Sequence, residues 1–259
     1  MAAIDHVTGP RAGSLLSPVT MLRIAIIATV LLLWEALSAS GLLYRDVVPS
    51  LLAITRALAL TLADAAFYRN LAVTGFEIIL GLAVGGGLGL ACGIALGASR
   101  FLSRAFEPYL YYLGPTPKII FFPVMIMMFG VGPGSKIAMG ALSCFFPVAL
   151  SAAAGMRQIN PVLIRVGQSF RASTLQMVTK VYLPGMREPT LNGVRLGLGV
   201  ATIGTLLAET KLSNQGLGFL VIQNYQRFDM PGMYALLIII FGLAVALNAL
   251  VSRLARPLR

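Results

Sequence analysis

Three carboxylates fall in or near long apolar runs of this chain: Glu35 after Trp34, Glu77, and Glu209 close to Lys211. A charge inside a bilayer is costly, so such residues are expected to work, by lining a solute path, gating it or pairing with a cation. Glu209 is the first candidate for lining or gating, with Thr202 and Thr205 of the same run as secondary ones. Those two hydroxyls could equally bond carbonyls of their own helix. Glu35 could pair with an arginine of a neighbouring helix, and Glu77 is expected near the outer end of its run. The sequence shows no catalytic set. It offers no paired carboxylates, no nucleophile elbow and no cluster of metal ligands. His6 is the single histidine, and Cys92 and Cys144 sit in apolar runs as small buried hydrophobes. GPGSK at 132–136 lacks the spacing of a phosphate-binding loop and continues Lys-Ile. The glycines at 85–89 have no strand before them. Neither an enzyme nor a resident cofactor or metal is expected.

The elements that would position these residues are membrane spans. Of 259 residues 58% are hydrophobic and 11% charged, against about 25% charged in a soluble domain. The net charge of +11 is read as topology, not as an affinity for nucleic acid, because most Lys and Arg stand beside apolar runs and face lipid boundaries. A helix needs about 20 apolar residues to span, and six runs qualify: 24–43, 71–96, two within 109–156 separated by the VGPGSK turn at 131–136, 191–207 and 233–250. Residues 49–62 have apolar positions at helical spacing and are expected to form an interfacial helix. The expected fold is all-α and integral to the membrane. One domain, 23–252, lies between tails at 1–22 and 253–259. No cleavable signal peptide is expected, since the first run is long enough to span and lacks an Ala-x-Ala site. With both termini cytoplasmic, most Lys and Arg lie inside, and 157–190 becomes the longest cytoplasmic loop.

Two local patterns stand out. Gly81, Gly85, Gly89, Gly93 and Gly97 recur at every fourth position, a groove on one helix face that admits a second helix closely. The partner is either another span of the same chain or a second subunit. In the loop, Asn160-Pro161 is a helix start, with Val162, Leu163, Val166 and Phe170 on one apolar face. The pattern breaks near Arg171. Ser173 and Gln176 then form a capping-box pattern, Leu175, Val178, Val181 and Tyr182 follow at helical spacing, and Pro184-Gly185 is expected to stop the helix. Two short helices with a bend make either a structured connection or a knob for a partner's groove.

This loop resembles the cytoplasmic EAA signature of permease subunits of bacterial ABC importers. That signature runs Glu-Ala-Ala, three residues, Gly, nine residues, Ile-x-Leu-Pro. Arg165-Val166-Gly167 stand where Glu-Ala-Ala would, Arg171 where the glycine would, and Val181-Tyr182-Leu183-Pro184 match the ending. LLLWEALSASGLL at 31–43, VPS at 48–50, FGVGPGSKI at 129–137, LNGVRLGLG at 191–199, and LLAE and GLGFLV within 206–221 are similar to the nitrate, sulfonate, taurine and bicarbonate branch of that family. The resemblance implies a multi-pass permease of the bacterial inner membrane working by alternating access. It implies a cytoplasmic ATPase pair that carries ATP and magnesium, a second permease chain in a homodimer, and an external solute-binding protein. The coupling residues would be Arg165, Val166, Gly167, Phe170, Arg171, Ala172, Leu183, Pro184 and Gly185. Riboflavin or a thiamine precursor is the alternative solute. A stand-alone channel or secondary transporter is the alternative class, against which the loop speaks and for which no inverted repeat is visible. Where the family has a glycine in a left-handed turn, Arg171 predicts either a different turn or a specialised partner surface.

Overall fold

The computed structural model describes residues 17–42 and 47–254. Among these every regular element is a helix. Five helices are long and apolar enough to cross a bilayer, six if one bent pair is a single span. Residues 1–16 of the predicted tail 1–22, residue 43 of the first predicted span, and residues 255–259 of the predicted tail 253–259 lie outside the described residues.

Helix α1 (Pro18–Ala39) starts at Ser17, whose hydroxyl accepts from the Thr20 amide at 3.2 Å. None of its residues is buried in the chain. It is fastened at its end, where the Trp34 indole donates to the Pro49 carbonyl at 3.0 Å and Glu35 accepts from the Leu51 amide at 2.9 Å. Glu35 thus meets an unsatisfied N–H in the first turn of α2 (Leu51–Ala63), not an arginine. Helix α2 matches the expected interfacial helix.

The core is three long helices: α3 (Ala65–Ala98), α6 (Pro133–Gln158) and α10 (Arg187–Lys211). The glycine face of α3 lies on α6 of the same chain. A Cβ on Gly81 would come 3.1 Å from the Ile137 carbonyl oxygen, one on Gly89 2.6 Å from that of Phe145, and one on Gly93 2.5 Å from the Ala152 Cβ. Gly85 and Gly97 sit as tightly against Ala141 and Met156. This seam is a backbone-to-backbone contact that no larger residue permits. Gly89→Leu is therefore expected to cost roughly 1–3 kcal/mol by overpacking. Ala91→Leu, at an exposed position one turn-face away, is expected to cost little. Thermal unfolding in detergent compares them, and equal shifts would show that the ridge is not the seam.

The third predicted span, opening at Tyr109, is corrected. Helix α4 (Arg100–Leu113) is followed by a 3-10 turn (Lys118–Phe121) and α5 (Phe122–Phe129), and the two arms are bent by 93°. Pro115 and Pro117 lie in the break, where they bring no amide hydrogen to continue a helix. The turn at 131–136 is present: Gly130 has φ +76°, and Pro133 opens α6. Two further helices complete the chain, α11 (Leu217–Gln226) and α12 (Met230–Leu254). Helix α11 is an element the sequence reading did not anticipate.

Candidate functional site

The loop after α6 forms α7 (Pro161–Ser169), α8 (Thr174–Met177), a π-turn (Val178–Tyr182) and α9 (Leu183–Gly185). Asn160 caps α7, accepting from the Val162 amide at 2.9 Å. Helix α7 ends in paired bonds: Arg171 donates to the Gln168 carbonyl at 2.9 Å and Ala172 to that of Gly167 at 3.0 Å. Arg171 carries this turn at φ +53°. The glycine-type turn is kept without the glycine, at a cost of about 1 kcal/mol. Ser173 and Gln176 exchange the two bonds of a capping box, at 3.3 and 2.8 Å.

Pro184-Gly185 does not stop this second helix. The chain stays helical through Gly185, and the break falls at Met186, with φ −108° and ψ 16°. The cause is the π-turn. Leu183 donates back to the Val178 carbonyl, five residues away, and the wider turn makes room for the ring of Pro184.

One side of the loop is anchored and the other is bare. Ile164 and Tyr182 pack on Met156, Ile159 and Met186, which ties the loop to the end of α6 and the start of α10. Gly167 lets α7 approach α8, since a Cβ there would lie 2.5 Å from the Met177 sulfur. The outer side exposes Val166 and Arg165, and Phe170 is 83% and Leu175 72% exposed. Ala172 and Leu183 are half-buried. Val166, Gly167, Pro184 and Gly185 share a groove of about 380 Å³. Just before the loop, Arg157 makes a two-pronged ion pair with Glu107 of α4 at 2.9 and 2.8 Å, and Ser103 donates to the same carboxylate at 2.5 Å. The loop end of α6 is thus pinned to the first arm of the broken span.

At the opposite end of the bundle lies a buried polar hub. Glu209 of α10 is 1% exposed. It accepts from the Thr74 hydroxyl of α3 at 2.7 Å and from the Gly218 amide at 2.7 Å. Thr74 in turn accepts from the Leu217 amide at 2.8 Å, and Asn70 from the Gly216 amide at 2.7 Å. Gly216 has φ +102°, and that conformation turns the chain so that three successive amides point at α3 and α10. Glu77 of α3 is 2% exposed beside Glu209. Lys136 of α6, 1% exposed, donates to the Val131 carbonyl and, at 2.8 Å, to that of Leu212. Its ammonium lies within electrostatic reach of both carboxyls. The hub locks α11 and the end of α10 onto α3 and α6.

The other two path candidates occupy the same buried face of α10. Thr202 is 5% exposed and donates to its own helix at the Leu198 carbonyl, 2.8 Å away. Thr205 is fully buried against Gly140, where a Cβ would lie 2.6 Å from its hydroxyl. The exposed face of α10 carries Leu196, Val200, Ile203 and Leu207 instead. Sequence reasoning missed Asn70, Thr74, Lys136 and Glu107 as partners. The signal for the first two was present: Asn70, Thr74 and Glu77 are polar residues of one apolar helix at spacings that share a face. Beside the break in the third span, between it, α6 and α10, lies a cleft of about 520 Å³ that holds Lys118.

Fold and sites together define a polytopic helical membrane protein with a loop anchored on one side and bare on the other, and a buried polar hub at the opposite end of the bundle. The chain belongs to the family of binding-protein-dependent transport system inner membrane components, whose model matches residues 85–259. It is a permease of the ABC-importer kind. It is 36% identical over 196 residues to the taurine transport system permease protein TauC of Escherichia coli, which covers 74% of this chain and 71% of that protein. It is 28% identical to the putative aliphatic sulfonates transport permease protein SsuC of Bacillus subtilis, over 89% of this chain and 84% of that one. Its fold is similar to a chain of the inward-facing MetNI methionine ABC transporter, with a TM-score of 0.57 at 20% identity, covering 80% of this chain and 96% of the other.

Proposed function

We propose that this permease moves a small anion inward, driven by a separate cytoplasmic ATPase pair that docks on the α7–α9 loop. The observation that carries the docking role is Phe170, an aromatic left 83% exposed on a loop whose other face is firmly packed. Arg165, Val166, Gly167, Phe170, Arg171 and Ala172 form the surface offered to the ATPase. Leu183, Pro184 and Gly185 set the angle at which the chain re-enters the membrane. Since Arg171 keeps the family turn, its side chain and that of Arg165 specialise the surface toward an acidic partner. ATP and magnesium belong to the ATPase. When ATP closes that pair, the loop moves with it, and Ile164, Tyr182 and the Glu107–Arg157 pair carry the motion into α6 and α4.

A second copy of this chain completes the path, and a solute-binding protein delivers at the hub end, in the bacterial inner membrane. Glu209, with Thr202 and Thr205 behind the path wall, serves as a gate fastening and not as a solute ligand. The aliphatic-sulfonate relatives support the anion, and the taurine relative, whose solute is a zwitterion, supports only the sulfonate head group. Both termini and the loop are cytoplasmic in this reading, which the bias of Lys and Arg toward that side supports. Cysteine labelling tests this orientation: Ser173→Cys is expected to react from the cytoplasmic side alone and Asn214→Cys from the other side alone. Reversed labelling, or a chain that retains no ATPase on purification, would overturn the docking role.

A further inference from the structure

The cleft beside the broken span contains a charge that the coupling mechanism does not use. Lys118 opens the 3-10 turn after the break, donates to the Gly114 carbonyl, and holds its ammonium 5.1 Å from the centre of the Phe146 ring. Phe146 is near the middle of α6, a helix of 26 residues. At about 1.5 Å per residue the ring lies roughly 20 Å from either end, so the cation sits level with the middle of this apolar span. A charge there is costly and is kept for a task. It stands where unwound backbone replaces helix, the arrangement by which broken spans expose binding groups.

Rest-state contacts of Lys118 are weak competitors for an anion: one carbonyl and one ring face. Among the described residues lining the cleft Lys118 is the charged one, and no carboxylate joins it. Ser143 has its hydroxyl committed to the Met139 carbonyl at 2.8 Å. Thr116 likewise spends its hydroxyl on the Tyr112 carbonyl at 3.2 Å, Tyr111 adds a further hydroxyl, and the rest of the wall is apolar, with Phe146, Leu150, Ile203 and Leu207 among it. The volume, about 520 Å³, suits a small solute.

We infer that Lys118 is the solute-contacting residue of the path, holding the head group of a small aliphatic monoanion, a sulfonate or carboxylate, whose tail lies on the apolar wall. A zwitterion would find no carboxylate to pair with its ammonium in this cleft. A bare inorganic anion would gain nothing from the walls. The inference rests on the anion-importer reading above and refines its solute.

The test uses the full complex with its ATPase and binding protein in proteoliposomes, with 1-butanesulfonate, taurine and nitrate as probes. Wild type is expected to take up butanesulfonate best. Lys118→Met is expected to lower that uptake by roughly tenfold to a hundredfold, the loss of one charge-assisted hydrogen bond, with ATPase retention unchanged, while Lys118→Arg stays close to wild type. Lys118→Cys adds a check within one folded protein. Labelling with 2-aminoethyl methanethiosulfonate restores an ammonium and is expected to restore uptake; the uncharged methyl reagent is not. Butanesulfonate uptake that survives Lys118→Met, or rescue by both reagents or by neither, overturns the inference alone. Uptake of taurine or nitrate in preference to butanesulfonate overturns the solute class. No ATP-driven uptake of any of the three by wild type overturns the anion reading itself.

Discussion

Phe170→Ala is expected to strip the ATPase from the permease while leaving the permease itself intact. The side chain is 83% exposed, so the isolated chain loses almost no packing when it is truncated. In a partner's groove the same ring would be buried, and burying a phenylalanine is worth about 1.5–3 kcal/mol. Affinity for the ATPase should fall by roughly tenfold to a hundredfold, and uptake with it. Two measurements separate the roles: ATPase retained on the purified permease, and the thermal midpoint of the permease alone. The expected pair is a large drop in the first and none in the second. If retention and uptake are both unchanged, the loop is merely a connection between α6 and α10. If the midpoint falls as well, Phe170 packs on the chain and the bare face has been misassigned.

The loop was legible because its signals are local. Asn160-Pro161 and the Ser173–Gln176 box are caps written within four residues, and the structure contains both. The glycine ridge was legible as a close approach, since spacing alone puts the five residues on one face, but spacing does not say which helix fills it. What failed was non-local or hidden in uniform hydrophobicity. The break at 114–117 is the exception: Gly-Pro-Thr-Pro before Lys118 is a turn signal in the sequence, passed over because the residues on either side are apolar enough to read as one span. Helix α11 is ten residues long, too short for the span criterion. The helix runs through Pro184 because a π-turn widens before it, and apolar periodicity does not encode that widening. The hub joins Thr74 to Glu209 across 135 residues, and the Glu107–Arg157 pair closes across 50. A single sequence marks each of those residues as costly without naming its partner.

The hub makes the sharpest stability prediction, because its two carboxyls are unequal. Glu209 is saturated: one oxygen takes the Thr74 hydroxyl, the other the Gly218 amide. Glu77 lies beside it with Oε2 lacking any hydrogen-bond partner. Removing Glu209 therefore orphans two buried donors and takes one counter-charge from Lys136, whereas altering Glu77 orphans little. Glu209→Ala is expected to cost about 3–5 kcal/mol, the range for breaking a buried charged network on one side. For a chain of this size that is a fall of roughly 10 °C or more in the unfolding midpoint. Glu209→Gln keeps one acceptor but turns an amide N–H toward a donor, which should cost about 1–3 kcal/mol. Glu77→Gln keeps the volume and loses no observed bond to Oε2, so its midpoint should stay within a few degrees of wild type. The release should also be directional. Without Glu209, the Gly216–Gly218 amides lose their hold on α10, and protease should cut the 212–218 segment before the α7–α9 loop. Should Glu77→Gln prove as damaging as Glu209→Ala, the weight of the hub rests on the facing carboxyl pair and not on the bonds that Glu209 makes to Thr74 and Gly218.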